Sequence, residues 1–130
     1  MSSSADDLNK ISNVVIGAAI EVHRLLGPGL LESAYQQCLA WELGQQGLAV
    51  EQQVTVPLRY KLLHIENGYR VDMLVEREVI VELKSVDGLL PIHTAQLLTY
   101  LKLTGLRLGL LLNFKVDVMR SGIKRVANGL

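Results

Sequence analysis

The chain has 130 residues and a mass of 14.4 kDa, enough for one domain and too little for two. Apolar residues make up 49% and charged residues 20%, so the chain can bury a core and is not disordered. Thirteen basic side chains balance thirteen acidic ones, which excludes a highly basic coat protein and an acidic tail protein but leaves room for a local basic patch.

The N-terminus, Met1 to Asp7, is polar and acidic, unlike a signal peptide, and residues 1–8 are expected to be a flexible lead-in. Within it, Ser4-x-x-Asp7 resembles a capping box with Asp in place of Glu. Val15, Ala18, Ala19, Val22, Leu25 and Leu26 then recur at helical spacing, and Gly27-Pro28-Gly29 stops that helix. A second helix is predicted from Leu30 to Gln46, with Tyr35, Leu39 and Leu43 on its apolar face and Gly47 as its stop. Cys38 is the single cysteine, so no intramolecular disulfide and no cysteine-based zinc site can form, and a reducing compartment is expected.

Strand texture begins at Val50. Val54 to Val56 reads as a strand, with Pro57 marking an edge or a break. Tyr69 to Val75 and Val79 to Lys84 are two more strands joined by Glu76-Arg77-Glu78. Pro91 opens a third helix that runs to Gly105. Arg107 to Phe114 is almost continuously apolar, as a strand buried on both faces is, and Ile123 to Val126 reads as a short final strand. The longest apolar runs, Val14 to Ile20 and Leu108 to Leu112, fall far short of the roughly 20 residues of a membrane span. A soluble cytoplasmic α/β protein with no membrane partner is expected. Three strands in succession allow an antiparallel meander, and the long helix before the fourth is a crossover of the length a parallel connection requires.

Charge points to chemistry at one place. Glu82 and Lys84 are two apart on a strand and so share a face, inside a run apolar enough to be internal. If Val75 pairs with Val79 across the three-residue loop, Asp72 lies opposite Glu82, about 4.5–5.5 Å away. Two carboxylates that close repel, and one takes a proton unless a cation lies between them. The alternative is structural: a buried Glu82–Lys84 ion pair with Asp72 bonded to a loop. Glu32 lies in the first turn of the second helix, where the helix dipole favours an anion, and Tyr35 one turn on is expected to pack. His93, Gln96 and Tyr100 make a polar stripe on the third helix; His93 alone reads as a helix-start histidine. Residues 102–130 hold six basic side chains and one acidic, and Lys102, Arg107, Lys115, Arg120, Lys124 and Arg125 together suggest a phosphate-contacting surface, with an ordinary solvated surface as the plainer reading.

Gly29-x-x-Glu32-x-x-Tyr35 and its flank from Ile20 to Glu32 resemble the signature of the bacterial and archaeal GxxExxY proteins. Val79 to Lys84, Ala95 to Leu101 and Gly122 to Arg125 resemble the same family, so the resemblance covers nearly the whole chain from Asn13 onward. That family is grouped with the PD-(D/E)xK nuclease superfamily, which includes restriction endonucleases and Holliday-junction resolvases. The resemblance implies one restriction-endonuclease-like domain over residues 1–130. Its three-layer αβα core would have the order αβββαβ, a mixed central sheet and an extra N-terminal helix. It also implies roles: Asp72 and Glu82 as metal-binding acids, the Leu83 carbonyl as a further ligand, and Lys84 as the lysine that positions the attacking water. Glu32 matches an acid on the first core helix, and Gln96 a polar position on the later helix. Val71 stands where many members have proline. The implied function is a Mg²⁺- or Mn²⁺-dependent nuclease. Its partner would be nucleic acid, DNA more readily than RNA, contacted by Tyr100, Lys102, Lys124 and Arg125. A homodimer would suit cutting of both strands. A non-catalytic nucleic-acid- or partner-binding module on the same fold, or a plain structural domain, are the other readings.

Overall fold

The structure, a computed structural model, describes residues 3–130. Two helices come first, α1 (Ala5–Leu26) and α2 (Glu32–Gln45), followed by the strands β1 (Val50–Tyr60), β2 (Leu63–Val75) and β3 (Val79–Lys84). Helix α3 (Pro91–Thr104) crosses to β4 (Leu108–Asn113), and a short 3₁₀ turn at Met119–Gly122 leads into β5 (Ile123–Ala127). The five strands form one sheet in sequential order. β3 and β4 are parallel; every other neighbouring pair is antiparallel. The sheet is therefore mixed, as the crossover helix requires.

The N-terminal residues are more ordered than expected. Ser4 and Asp7 form a reciprocal capping box, the helix starts at Ala5, and Leu8 is buried. A flexible lead-in over residues 1–8 is thus corrected for the described residues 3–8; residues 1 and 2 lie outside them. Gly27, at φ +71, ends α1 in a conformation that a side chain resists. Tyr35 then closes the connection to α2: its hydroxyl donates to the Gly27 carbonyl and accepts from the Leu30 amide, while its ring stacks on Phe114 at 4.4 Å. Tyr35 packs, as its spacing suggests.

Two cores flank the sheet. On one face α1 and α2 cover Met73, Val75, Val79, Val81, Leu83, Leu108, Leu110 and Leu112. On the other, Leu97 and Leu101 of α3 cover Val71, Ile80, Leu111 and Val126. Gly109 permits that second layer, because a Cβ there would lie 2.9 Å from the Leu97 side chain. β4 lies wholly inside, all six residues buried, which explains its unbroken apolar run.

The first hairpin is longer than the sequence suggests. β1 and β2 stay paired out to Tyr60↔Leu63, well beyond the predicted Val54 to Val56 and Tyr69 to Val75. The outer part is largely exposed; its apolar–polar alternation, Leu58 to Tyr60 and Leu63 to Glu66, is cut off from the inner strand by Pro57 and lies outside the predicted strands. β1 is an edge strand and its register shifts between Val56 and Leu58, so Pro57 marks both an edge and an irregularity.

Candidate active site

The loop Glu76-Arg77-Glu78 sets the register. Val75 pairs with Val79, Leu74 with Ile80 and Met73 with Val81, so Asp72 lies one step past the last pair, toward Glu82. The loop has no glycine, and Glu76 and Arg77 both take φ +54. The Glu76 amide donates to the Ala49 carbonyl, and the Glu76 carboxylate accepts from the Ala49 amide, which holds the loop against the start of β1.

Beyond Met73↔Val81 the regular ladder stops. There the Leu83 amide donates 2.9 Å to Asp72 Oδ2. A side chain has replaced the main-chain acceptor, so a carboxylate sits at the seam between β2 and β3. Glu82 is buried on the α3 face, and among the described residues its Oε1 has no hydrogen-bond partner. Burial, then the adjacent Asp72 carboxyl, push Glu82 up to about 9, against an opposing pull from Lys84. At neutral pH without a cation, Glu82 therefore keeps a proton that water-exposed carboxyls lose. Among the described residues no ion pair joins Lys84 to Glu82 or Asp72. The buried Glu82–Lys84 pair of the structural reading is not formed.

Helix α2 brings in Glu32 at its first residue. Glu32 Oε1 accepts from the Ser85 amide at 3.1 Å, and Ser85 Oγ donates to the Leu30 carbonyl. Glu32 thus reaches the strand end that carries Lys84. Asn113, buried at the end of β4, grips the other side of that segment through the Val86 amide and carbonyl. Nothing in the local pattern of Ser85 or Asn113 marks them; only the parallel pairing of Lys84 with Asn113 brings them here.

Tyr100 lies on the acidic side of α3. Burial first, then the charges of Glu82 and Asp72, raise its hydroxyl above the usual phenol range. It stacks on Tyr69 at 4.5 Å, and the Tyr69 hydroxyl is buried without a partner. Gln96 is exposed one turn earlier on the same flank of α3. His93 caps the start of α3 by accepting from the Leu90 amide, the helix-start role expected of it.

The six C-terminal basic residues do not form one surface. Lys124 is exposed beside Leu90, Pro91 and Thr94 at the start of α3. Arg125, its neighbour on β5, points to the opposite face and donates to Asn9 of α1 at 2.8 Å. Lys102 is exposed about 200° around α3 from Tyr100. Lys115 pairs with Asp87, and Arg107 donates to the Ser3 carbonyl. Grouping Lys102 and Arg125 with Tyr100 is therefore corrected. Strand alternation and helical rotation carry them away from the acids, and Lys124 alone of the three stays on the α3 face.

Residues 9–126 match the profile of a family described as PD-(D/E)XK nuclease superfamily. The chain belongs to that family. Its mixed five-stranded sheet with helical layers agrees with a restriction-endonuclease-like fold. Among solved structures, the PD-(D/E)XK chain is similar to the crystal structure of SSO0001, with a TM-score of 0.47 and 18% identity, over 92% of this chain and 66% of that one. The chain spans just under two thirds of that protein's length. A search of curated sequences finds no match. Among the described residues no helix is long and apolar enough to cross a membrane.

Proposed function

We propose that this PD-(D/E)XK protein is a metal-dependent nuclease. It would hydrolyse phosphodiester bonds of nucleic acid with Mg²⁺ or Mn²⁺, and DNA more readily than RNA. The observation that carries the reading is the buried, unpartnered Glu82 Oε1 beside Asp72. A buried carboxylate without a partner is costly, and a cation between the two acids removes that cost. The donors fit a hard ion: two carboxylates and main-chain oxygen. Among the described residues no cluster of three or more His, Cys, Asp or Glu is present, and Mg²⁺ typically takes only one or two carboxylates and keeps several waters.

Asp72 and Glu82 would hold the ion, with the Leu83 carbonyl as a further ligand. When bound, the ion lowers the pKa of a water and stabilises charge developing on the phosphate. Lys84, half-exposed and without an ion pair among the described residues, would orient the attacking water and offset phosphate charge. Glu32, which reaches the same strand end, would bind a second metal or a metal-bound water. Gln96 and Tyr100 contact the substrate backbone from α3, and Lys124 extends that contact. The similarity to GxxExxY proteins, one domain over 1–130, a cytoplasmic setting and a homodimer for double-strand cutting belong to the same proposal.

The test is cleavage of a labelled panel of linear, nicked, branched and single-stranded DNA and RNA with Mg²⁺, Mn²⁺ or EDTA. Lys84→Ala, purified identically, is the contamination control. Metal-dependent cutting that disappears in the variant supports the reading. Binding without cutting, in either metal, replaces it with a non-catalytic binding module.

A further inference from the structure

Across β2 from the acids, on the free edge of the sheet, stands Gln53. It takes φ +52, the left-handed region that a residue with a side chain rarely adopts. The consequence reaches both strands. Val50 packs under α1 and α2, whereas Val54 and Val56, of the same parity, pack under α3. Opposite them, Met73 and Val75 pack under α1 and α2, whereas Val71 packs under α3. A regular strand keeps residues two apart on one face. Both strands therefore change faces between the pairs Gln52↔Met73 and Val54↔Val71, at Gln53 and Asp72.

The side chain of Gln53 joins the same place. Its amide nitrogen donates 2.8 Å to Gln36 Oε1 on α2 and contacts Asp72 Oδ1 at 3.5 Å. Gln36, buried, in turn donates to Gln52 Oε1 at 3.1 Å. These amides line an open polar groove with Ser33, Gln37 and Arg70. Amide–amide bonds such as these add only modestly to stability, so the main consequence of this chain is positional. Asp72 is held from two sides, by the Leu83 amide on Oδ2 and by Gln53 on Oδ1.

We infer that Gln53 is a positioning residue for Asp72. Its left-handed backbone turns the Asp72 side chain into the β2–β3 seam, and its amide, anchored to α2 through Gln36, fixes the carboxylate's orientation there. The value of that orientation for metal chemistry rests on the nuclease reading; the placement of Asp72 does not.

The test uses amide NMR spectra of the full chain without metal, then with Mg²⁺ added. The Leu83 amide reports directly whether Asp72 is in place, with Asp72→Asn as the reference for its loss. Gln53→Gly suits φ +52 and removes the amide, so its melting temperature should equal or exceed that of the wild type. In the same variant the Leu83 amide should move toward its position in Asp72→Asn, and Gln36→Ala should move it the same way. Gln53→Asn, which tolerates the left-handed region and keeps an amide, should restore part of the shift. In a wild type that binds Mg²⁺, Gln53→Gly should weaken binding about tenfold or more. A Leu83 amide that stays at its wild-type position in Gln53→Gly and Gln36→Ala overturns the inference, whatever the metal does. A wild type whose spectrum ignores Mg²⁺ overturns the nuclease reading alone and leaves the Leu83 result to decide the inference.

Discussion

The two ends of the β2–β3 pair are only a few residues apart and follow opposite rules. At the loop end, Val75, Val79 and Ile80 are fully buried and paired main chain to main chain. At the other end the ladder stops, a carboxylate takes the Leu83 amide, and Glu82 is buried without a partner for Oε1. The first end stabilises the fold through apolar burial. The second end places charge where apolar burial would be cheaper. A site arises where the regular pairing is handed over to side chains, and the intact end supplies the stability that the unpaired end gives up.

The largest expected difference between the two ends is in activity. Lys84→Ala should lower metal-dependent cleavage by about 100-fold or more while its melting temperature stays near the wild type. A steep loss of stability in that variant would return Lys84 to a structural role. The converse experiment is Ile80→Ala. It should cost about 2–5 kcal/mol in chemical denaturation, because it opens a cavity under α3.

The third expectation concerns pH. Glu82 is held up to about 9 in the folded protein against an ordinary value of 4.5. The folded protein then binds more protons than the unfolded chain between those values. In EDTA, stability should therefore fall as pH rises from 4.5 toward 9 and level off above it. Glu82→Gln should flatten that slope, and Mg²⁺ should raise the stability of the wild type most at the alkaline end. Denaturation curves at several pH values read all three. A wild-type slope that Glu82→Gln leaves intact would place the titrating group elsewhere.

The smallest effects fall on the surface. Lys124→Ala should weaken nucleic-acid binding and reduce its dependence on salt by about one ion. Arg125→Ala, on the opposite face, should leave both unchanged. Equal losses in the two variants would mean that nucleic acid wraps the sheet edge.

Much of this site was legible before the fold. The alternation of Val79 to Lys84 put Glu82 and Lys84 on one face, and the three-residue loop set the register that ends one step before Asp72. Strand alternation would also have separated Lys124 from Arg125; grouping them by charge alone set that period aside. The outer hairpin was missed although Leu58 to Tyr60 and Leu63 to Glu66 alternate, because Pro57 reads as the strand's end while the pairing continues past it. Gln36, Gln52 and Gln53 were not legible either, because glutamine is an ordinary surface residue whose amide gains meaning only from what it faces.

Local physics was enough to determine the helices, the inner strands, the register across Glu76 to Glu78 and the shared face of Glu82 and Lys84. These depend on periodicity and on loop length, which are properties of neighbours in the chain. The tertiary structure alone decided that the ladder ends at Asp72, that Glu82 Oε1 lacks a partner among the described residues, that Glu32 reaches the end of β3 from α2, and that Gln53 reaches Asp72 from β1. Those features depend on pairings between residues up to 53 positions apart. No short-range pattern encodes such a pairing, because each partner's own neighbourhood is satisfied without it.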